Sequence, residues 1–337
     1  MKAVGYYRNG PISAEDALVD LDLPRPEPGA RDLLVAVRAV SVNPVDAKQR
    51  KAAAPPEGQA RVLGFDAAGV VEQVGPEVTL FHPGEAVFYA GSVVRPGTNA
   101  EYHLVDERIV GRKPSSLSFA EAAAMPLTAI TAWELLFDRL GVRPGKPADA
   151  GSLLIVGGAG GVGSMLIQLA RRLTGLCVIA TASRSETREW CLGLGAHHVI
   201  DHRQPFAEEL RRIGIPAVEY IAGLTATDQH FPAIVEALAP QGHFALIDDP
   251  ASLDIRLLKR KSVAVHWEFM FTRSMFGTAD MIAQHKLLEE VAELVDAGVL
   301  RTTLGQHGGT VSAATLKRAH ELIESGKAKG KIVLEGF

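Results

Sequence analysis

The chain has 337 residues, 47% of them hydrophobic and 22% charged, with 33 glycines and 19 prolines; this length predicts two domains, and the composition excludes disorder and fibrous architectures. A formal net charge of -4 supplies no positive field for nucleic acid or anionic lipid, which excludes both as main partners. Two cysteines, Cys177 and Cys191, are too few for a disulfide framework or a four-thiolate zinc site and predict a reducing cytoplasm. The opening MKAVGYYRNG turns polar at once and predicts no secretory signal. The most apolar window, 162–182, is interrupted by Arg171 and Arg172, so no membrane span is expected.

Short apolar runs at Leu33–Val42, Gly69–Val74, Glu85–Ala90 and Tyr102–Val105, punctuated by Pro and Gly, predict an irregular antiparallel β domain. From Phe119 the stretch EAAAMPLTAITAWELLFDRL has helical spacing, with Gly141 as its stop. Strand-like and helix-like segments then alternate: Leu153–Val156, Val162–Leu173, Leu176–Ala182, Thr187–Leu194, Val199–Asp201, Phe206–Ile213, Ala217–Ala222, His230–Leu238 and His243–Ile247. Such alternation predicts βαβ units and a parallel sheet with helices on both faces. Val162, Leu166, Leu169, Ala170 and Leu173 form the stripe expected to pack on it. Leu287–Leu300 reads as an amphipathic helix closed by Gly298; a second helix ends at Gly326, and a last strand, Lys331–Leu334, is expected to return to the first domain.

Between a strand and an amphipathic helix lies IVGGAGGVG, in which Gly158, Gly160 and Gly163 satisfy G-x-G-x-x-G. The first glycine allows the tight turn, the second lets backbone approach a pyrophosphate, and the third lets helix pack on strand. A chain selecting NAD carries Asp or Glu about twenty residues on, at the end of the second strand. Here Ser183 and Arg184 stand at that point, and no carboxylate comes before Glu186. A hydroxyl and a guanidinium accept a 2′-phosphate, so NADPH is expected over NADH, with Arg188 as a second cation. Ser183 and Glu186 also fit a helix capping box.

The segments SVNPVDAKQR, VLGFDAAGVVEQVG and PLTAITAW, together with the glycine-rich turn, resemble the medium-chain dehydrogenase/reductase superfamily over nearly the whole chain. VFYAGSVVRPGTNAEYHLVDERIVGRKP and HWEFMFTRS look most like its zinc-type alcohol dehydrogenase-like branch, close to quinone oxidoreductases. The resemblance implies an α/β fold: a GroES-like β domain built from 1–124 and 269–337, and a Rossmann doubly wound parallel sheet over 125–268, with the active site in the cleft. It further implies Asn43 and Asp46 near the nicotinamide, Thr128 and Thr131 supporting the cofactor, and Gly161 and Val162 at the pyrophosphate. Phe244 and Leu246–Asp248 are implied beside the nicotinamide, and Lys331 matches a lysine of the family's closing strand. His202 and Arg203 stand where relatives more usually carry Tyr-Arg. A homodimer joined edge to edge through the Rossmann sheets is implied as well, with His243–Ile247 as the expected strand.

The zinc members of that family bind their metal through Cys, His and Cys. The matching positions here are Asn43, Phe65 and Leu127, which are not a zinc ligand set, and Phe88–His103 lacks the four cysteines of a structural zinc lobe. His197, His198 and His202 lie beside Asp201, but in a strand followed by a loop rather than on a helix, so no metal is expected. Cys177 and Cys191 read as small buried hydrophobes. Without a Lewis acid, reduction of a conjugated system is easier than alcohol oxidation, because charge lands on a distant oxygen that hydrogen-bond donors can stabilise. Asn43 is the expected amide donor, Tyr89 the phenolic donor with His266 second, and Phe65, Leu127, Trp267 and Phe269 an apolar wall for a flat substrate. The expectation is a zinc-independent NADPH-dependent reductase of a quinone or α,β-unsaturated carbonyl compound. A zinc-type alcohol dehydrogenase and a non-catalytic NADPH-binding protein stand as the alternatives.

Overall fold

The computed structural model describes residues 1–147 and 149–337. Its contacts divide the chain into two units, Met1–Ile130 with Phe271–Phe337, and Thr131–Met270.

In the first unit the strand Asp32–Val42 is the hub. Its sequence DLLVAVRAVSV buries both faces except at Asp32 and Arg38, so it must be covered on both sides. It pairs antiparallel with Asp66–Val74, Tyr102–Asp106 and Lys331–Glu335, and Ala86–Ala90, Val110–Arg112 and Leu304–His307 complete a seven-stranded sheet. A three-stranded sheet stands apart, in the order Val19–Asp22, Lys2–Tyr6, Arg61–Val62. Val35, Val40, Phe81, Tyr89, Leu316 and Leu334 belong to the core around these strands. The closing strand faces Ile332 to Val42, and that register sets Lys331 beside Asn43.

The second unit is a six-stranded parallel sheet in the spatial order His198–Ile200, Cys177–Thr181, Ser152–Val156, Val218–Gly223, Leu238–Leu246, Ala264–Trp267. Counted along the chain this is 3-2-1-4-5-6, the dinucleotide-binding order, in which right-handed crossovers leave the first strand in both directions. Chain order reverses between Ser152–Val156 and Val218–Gly223. The helix Gly161–Leu173 is buried from Gly163 through Ala170, whereas Val162 and Leu173 are only half-buried. The single stripe expected there is too narrow, because the helix Ser185–Leu194 covers a second side and Trp190 donates its indole N–H to Ser164 at 2.8 Å.

Several expected boundaries move. The helix placed at His230–Leu238 runs Thr227–Ala237, since Asp248, beyond the next strand, accepts from both the amide (2.8 Å) and the hydroxyl (2.6 Å) of Thr227 and fixes an earlier start. The helix placed at Leu287–Leu300 runs Ala283–Asp296. His243–Ile247 is not a sheet edge: Leu238–Leu246 is covered by Ala264–Trp267, which is the edge strand instead. No helix among the described residues is long and apolar enough to cross a membrane.

Candidate functional site

The glycine-rich turn of the second unit makes its left-handed step at Gly157, one residue before the first glycine of the pattern, and leaves Gly158 to close packing. Gly157 takes φ +94°, a left-handed conformation that favours glycine. A Cβ on Gly158 would lie 2.7 Å from the Cβ of Ala180, and one on Gly163 would lie 2.4 Å from the Gly157 carbonyl oxygen. A Cβ on Gly160, which caps the helix, would meet nothing among the described residues closer than the Gly157 carbonyl oxygen at 3.6 Å, so this glycine keeps open space in front of the backbone. Behind it the helix begins at Gly161 and Val162, whose amides belong to the first turn that an α-helix leaves without internal acceptors.

At the end of the second strand, Ser183 is half-buried and Arg184 caps the next helix, its side chain 40% exposed with Nε 3.4 Å from Glu186 Oε1. The expected Ser183–Glu186 capping box does not form, because the helix starts at Ser185, with Arg184 rather than Ser183 at the cap. Arg188 is directed to a structural bond: its Nη1 donates to the Val199 carbonyl at 3.0 Å. The guanidinium that reaches Ser183 is that of Arg203, which donates to the Ser183 carbonyl at 3.2 Å while gripping Asp201 through Nε and Nη2. Those bonds hold the Asp201 carboxyl down at about 2. His202 packs edge-on against His230, itself stacked on Phe206.

Phe244 and Leu246 are fully buried in the core of this unit, so a ligand at this strand end would meet backbone rather than these side chains. Asp248 is occupied by Thr227. His266 stacks on His243 at 6.0 Å, and burial lowers its pKa. Trp267 and Phe269 are 57% and 46% exposed.

In the first unit the residues of NPVD join a buried polar network. Lys331 Nζ donates to Asn43 Oδ1, to Asp66 Oδ2 at 2.9 Å and to the Val42 carbonyl at 3.0 Å. Asn43 Nδ2 donates to Asp66 Oδ2 at 2.8 Å and to the Ser41 carbonyl at 3.3 Å, while Asp66 Oδ1 accepts the Leu127 amide at 2.7 Å. Asp46 accepts the amides of Asn43 (2.8 Å) and Gly64 (2.9 Å); burial pushes its carboxyl up to about 7 against the pull of those amides and of Lys331. Both donors of the Asn43 amide are therefore engaged inside the protein, and the amide does not have the free hydrogen expected for a substrate carbonyl. Thr128 returns its hydroxyl to the Met125 carbonyl at 3.0 Å. Thr131 is buried in the other unit.

The expected phenolic donor also proves to be occupied. His103 Nε2 meets the Pro96 carbonyl at 2.9 Å; a carbonyl only accepts, so that nitrogen carries the hydrogen. Burial keeps the ring neutral, down to about 4, which leaves Nδ1 as the acceptor for the Tyr89 hydroxyl at 3.1 Å. Tyr89 is fully buried with its one proton committed to His103. Phe65 packs edge-on against Phe271 at 5.1 Å and is buried with Leu127, whereas Trp267 and Phe269 belong to the second unit.

Residues 29–129 match the alcohol dehydrogenase GroES-like domain, and residues 194–334 match the zinc-binding dehydrogenase model. A zinc-type alcohol dehydrogenase-like protein of Staphylococcus aureus is 41% identical over 99% of both chains. The chain belongs to the medium-chain dehydrogenase/reductase superfamily. It is an oxidoreductase of that type, with a GroES-like sheet domain and a Rossmann-like parallel sheet. A Rhizobium etli protein named for zinc-dependent alcohol dehydrogenases superposes with TM-score 0.96 at 58% identity, covering 100% of this chain and 98% of its own. The quinone oxidoreductase of Coxiella burnetii superposes with TM-score 0.81 at 27% identity, covering 100% and 99%.

The metal in the superfamily's zinc names does not fit this chain. Phe65 and Leu127 carry no donor atom, Asn43 is bonded on both sides of its amide, and the buried carboxylate beside it, Asp66, is paired with an ammonium. No cluster of three or more His, Cys, Asp or Glu among the described residues could hold a metal ion. Asp66, which sequence reading passed over, is the residue that ties the three motif segments together. Its signal is a lone carboxylate in the otherwise apolar run VLGFDAAGV.

Proposed function

We propose that the protein is a zinc-independent, NADPH-dependent reductase of quinones or α,β-unsaturated carbonyl compounds, working as a cytoplasmic homodimer. The observation that carries the cofactor preference is the end of the second Rossmann strand, where Ser183 and the half-exposed Arg184 stand without a carboxylate between strand and helix. Arg203 adds a guanidinium at the Ser183 carbonyl, although its charge is balanced by Asp201. Gly160, Gly161 and Val162 would hold the pyrophosphate, with Gly158 and Gly163 setting the close packing of the turn that presents them. The cofactor supplies the hydride.

The residues of the first unit act by position. Lys331 and Asp66 hold Asn43, and Asp46 fixes the start of its own helix, Pro44–Ala52, by accepting the Asn43 amide, so that this loop presents one rigid surface to the substrate. With Tyr89 and Asn43 both engaged, the proton that completes reduction comes from water. A quinone or enone suits such a site, because hydride addition places charge on an oxygen remote from the attacked carbon. Support for the quinone comes from the likeness to the Coxiella enzyme. Support for the homodimer is the edge strand Ala264–Trp267, whose outer side no strand among the described residues covers and which exposes Val265 and Trp267.

Metal-stripped protein is to be assayed for NADPH oxidation with a quinone, a conjugated aldehyde and a saturated aldehyde, alongside Arg184→Ala. Turnover of a conjugated substrate is expected, and Arg184→Ala is expected to weaken NADPH at least tenfold while changing NADH little, about 1.4 kcal/mol of selectivity. Turnover of the saturated aldehyde alone, or equal losses for both cofactors, contradicts the reading.

A further inference from the structure

A second buried polar cluster lies in the Rossmann unit. Glu134 and Glu268 are 0% and 2% exposed. Glu134 opens the π-helical stretch Glu134–Arg139, closed by the Leu140 amide on the Leu135 carbonyl at 2.9 Å. Glu268 follows the edge strand Ala264–Trp267, and its amide donates to the Leu246 carbonyl at 2.9 Å, so it sits where two parallel strands end. Arg139 joins the two carboxyls: its Nε donates to Glu268 Oε2 at 2.8 Å, and Nη2 is 3.9 Å from Glu134 Oε2. The other oxygen of Glu268, Oε1, meets no donor among the described residues.

The charges decide what this arrangement requires. One guanidinium balances one carboxylate; a second ionised carboxylate beside the first leaves a net negative charge on two side chains that are 1% and 0% exposed. Of the groups that act on Glu268, Arg139 is the one that favours its charged form. His266, two residues before Glu268, faces Arg139 and stacks on His243, and its burial together with those groups favours its neutral form. The orphaned Oε1 is the atom on which a proton resolves the imbalance.

We propose that Glu134 and Glu268 share a single proton, and that the pair, clamped by Arg139, positions the ends of the strands Leu238–Leu246 and Ala264–Trp267 for the nicotinamide cofactor. The cofactor half of this inference rests on the NADPH reading above. Open parallel sheets bind ligands outside the carboxyl ends of their strands, and both ends tied here belong to that rim. Burial and the Glu134 charge push the Glu268 carboxyl up to about 8 against the pull of Arg139. Loss of the shared proton in alkali therefore puts two buried negative charges face to face and loosens the rim.

The test combines NADPH affinity from pH 7 to 9.5 with a carbon-13 NMR titration of the glutamate carboxyls, in wild type, Glu268→Gln and Glu134→Gln. In wild type the Kd is expected to rise about tenfold along a one-proton curve centred near pH 8, with one carboxyl carbon titrating in parallel. Either glutamine leaves one carboxylate against one guanidinium, so the Kd of each variant is expected to stay flat across the range. A wild-type Kd as flat as that of the variants overturns the positioning role. Titration of both carboxyls below pH 6 overturns the shared proton. Absence of NADPH binding at every pH overturns the cofactor reading and the positioning role with it, while the carboxyl titration still decides whether the proton is shared.

Discussion

Asp66 and Lys331 show how a few buried polar atoms make the first unit specific. Their side chains are 0% and 3% exposed, so each charge exists there only because the other does. Removing one partner of such a pair leaves an uncompensated buried charge at a cost of about 3–5 kcal/mol, whereas replacing both by apolar or neutral groups costs much less. Lys331→Met is therefore expected to lower the unfolding free energy by about that amount, and adding Asp66→Asn is expected to restore part of it. Denaturant titration of the two single variants and the double variant checks this; strictly additive losses would mean the two residues are not coupled. The same reasoning explains why Asn43 fails as a donor. A residue whose amide completes a buried network cannot also serve a ligand without breaking that network.

Within the elements, the glycine-rich turn separates folding from binding. Gly163→Ala puts a methyl 2.4 Å from the Gly157 carbonyl and is expected to cost about 1–3 kcal/mol of stability through overpacking. Gly160→Ala meets nothing closer than 3.6 Å, so its thermal midpoint is expected to stay near that of wild type while NADPH affinity drops at least tenfold. Thermal unfolding and fluorescence titration of both variants distinguish the two effects; intact NADPH binding by Gly160→Ala would place the phosphates elsewhere. Periodicity exposed this turn and the order of strands and helices around it, because both depend on neighbours a few residues apart. The edge strand Ala264–Trp267 escaped, since AVHW is short and lacks flanking turn signals. The early start of the Thr227 helix escaped because its cap comes from Asp248, 21 residues away. Of the candidate site, the motif residues were legible in NPVD and the glycines, and Lys331 through the family resemblance, but Asp66, 23 residues from Asn43, was not, nor was the separate pair of Arg139 and Glu268, 129 residues apart. Tyr89 looked available only because its acceptor, His103, sits on another strand.

At the scale of the whole molecule, the exposed edge of the Rossmann sheet is the feature a second copy would cover. Val265 and Trp267 are 38% and 57% exposed on a strand that pairs on one side only among the described residues, a combination that invites pairing. Val265→Lys is expected to halve the mass measured by light scattering without lowering the thermal midpoint of the monomer; a wild-type protein already monomeric at micromolar concentration would remove this edge as an interface. The order of synthesis sets a further constraint. Asp66 and Lys331 are separated by 265 residues, and at about 5–20 residues per second the ribosome delivers the ammonium roughly 13 to 53 s after the carboxylate. Residues 131–270 form one continuous stretch that can close in that interval, whereas the sheet around Asp32–Val42 waits for its last strand. During that interval Asp66 and Asn43 must stay in water, so a nascent chain halted before Lys331 keeps its first unit open to proteases and chaperones.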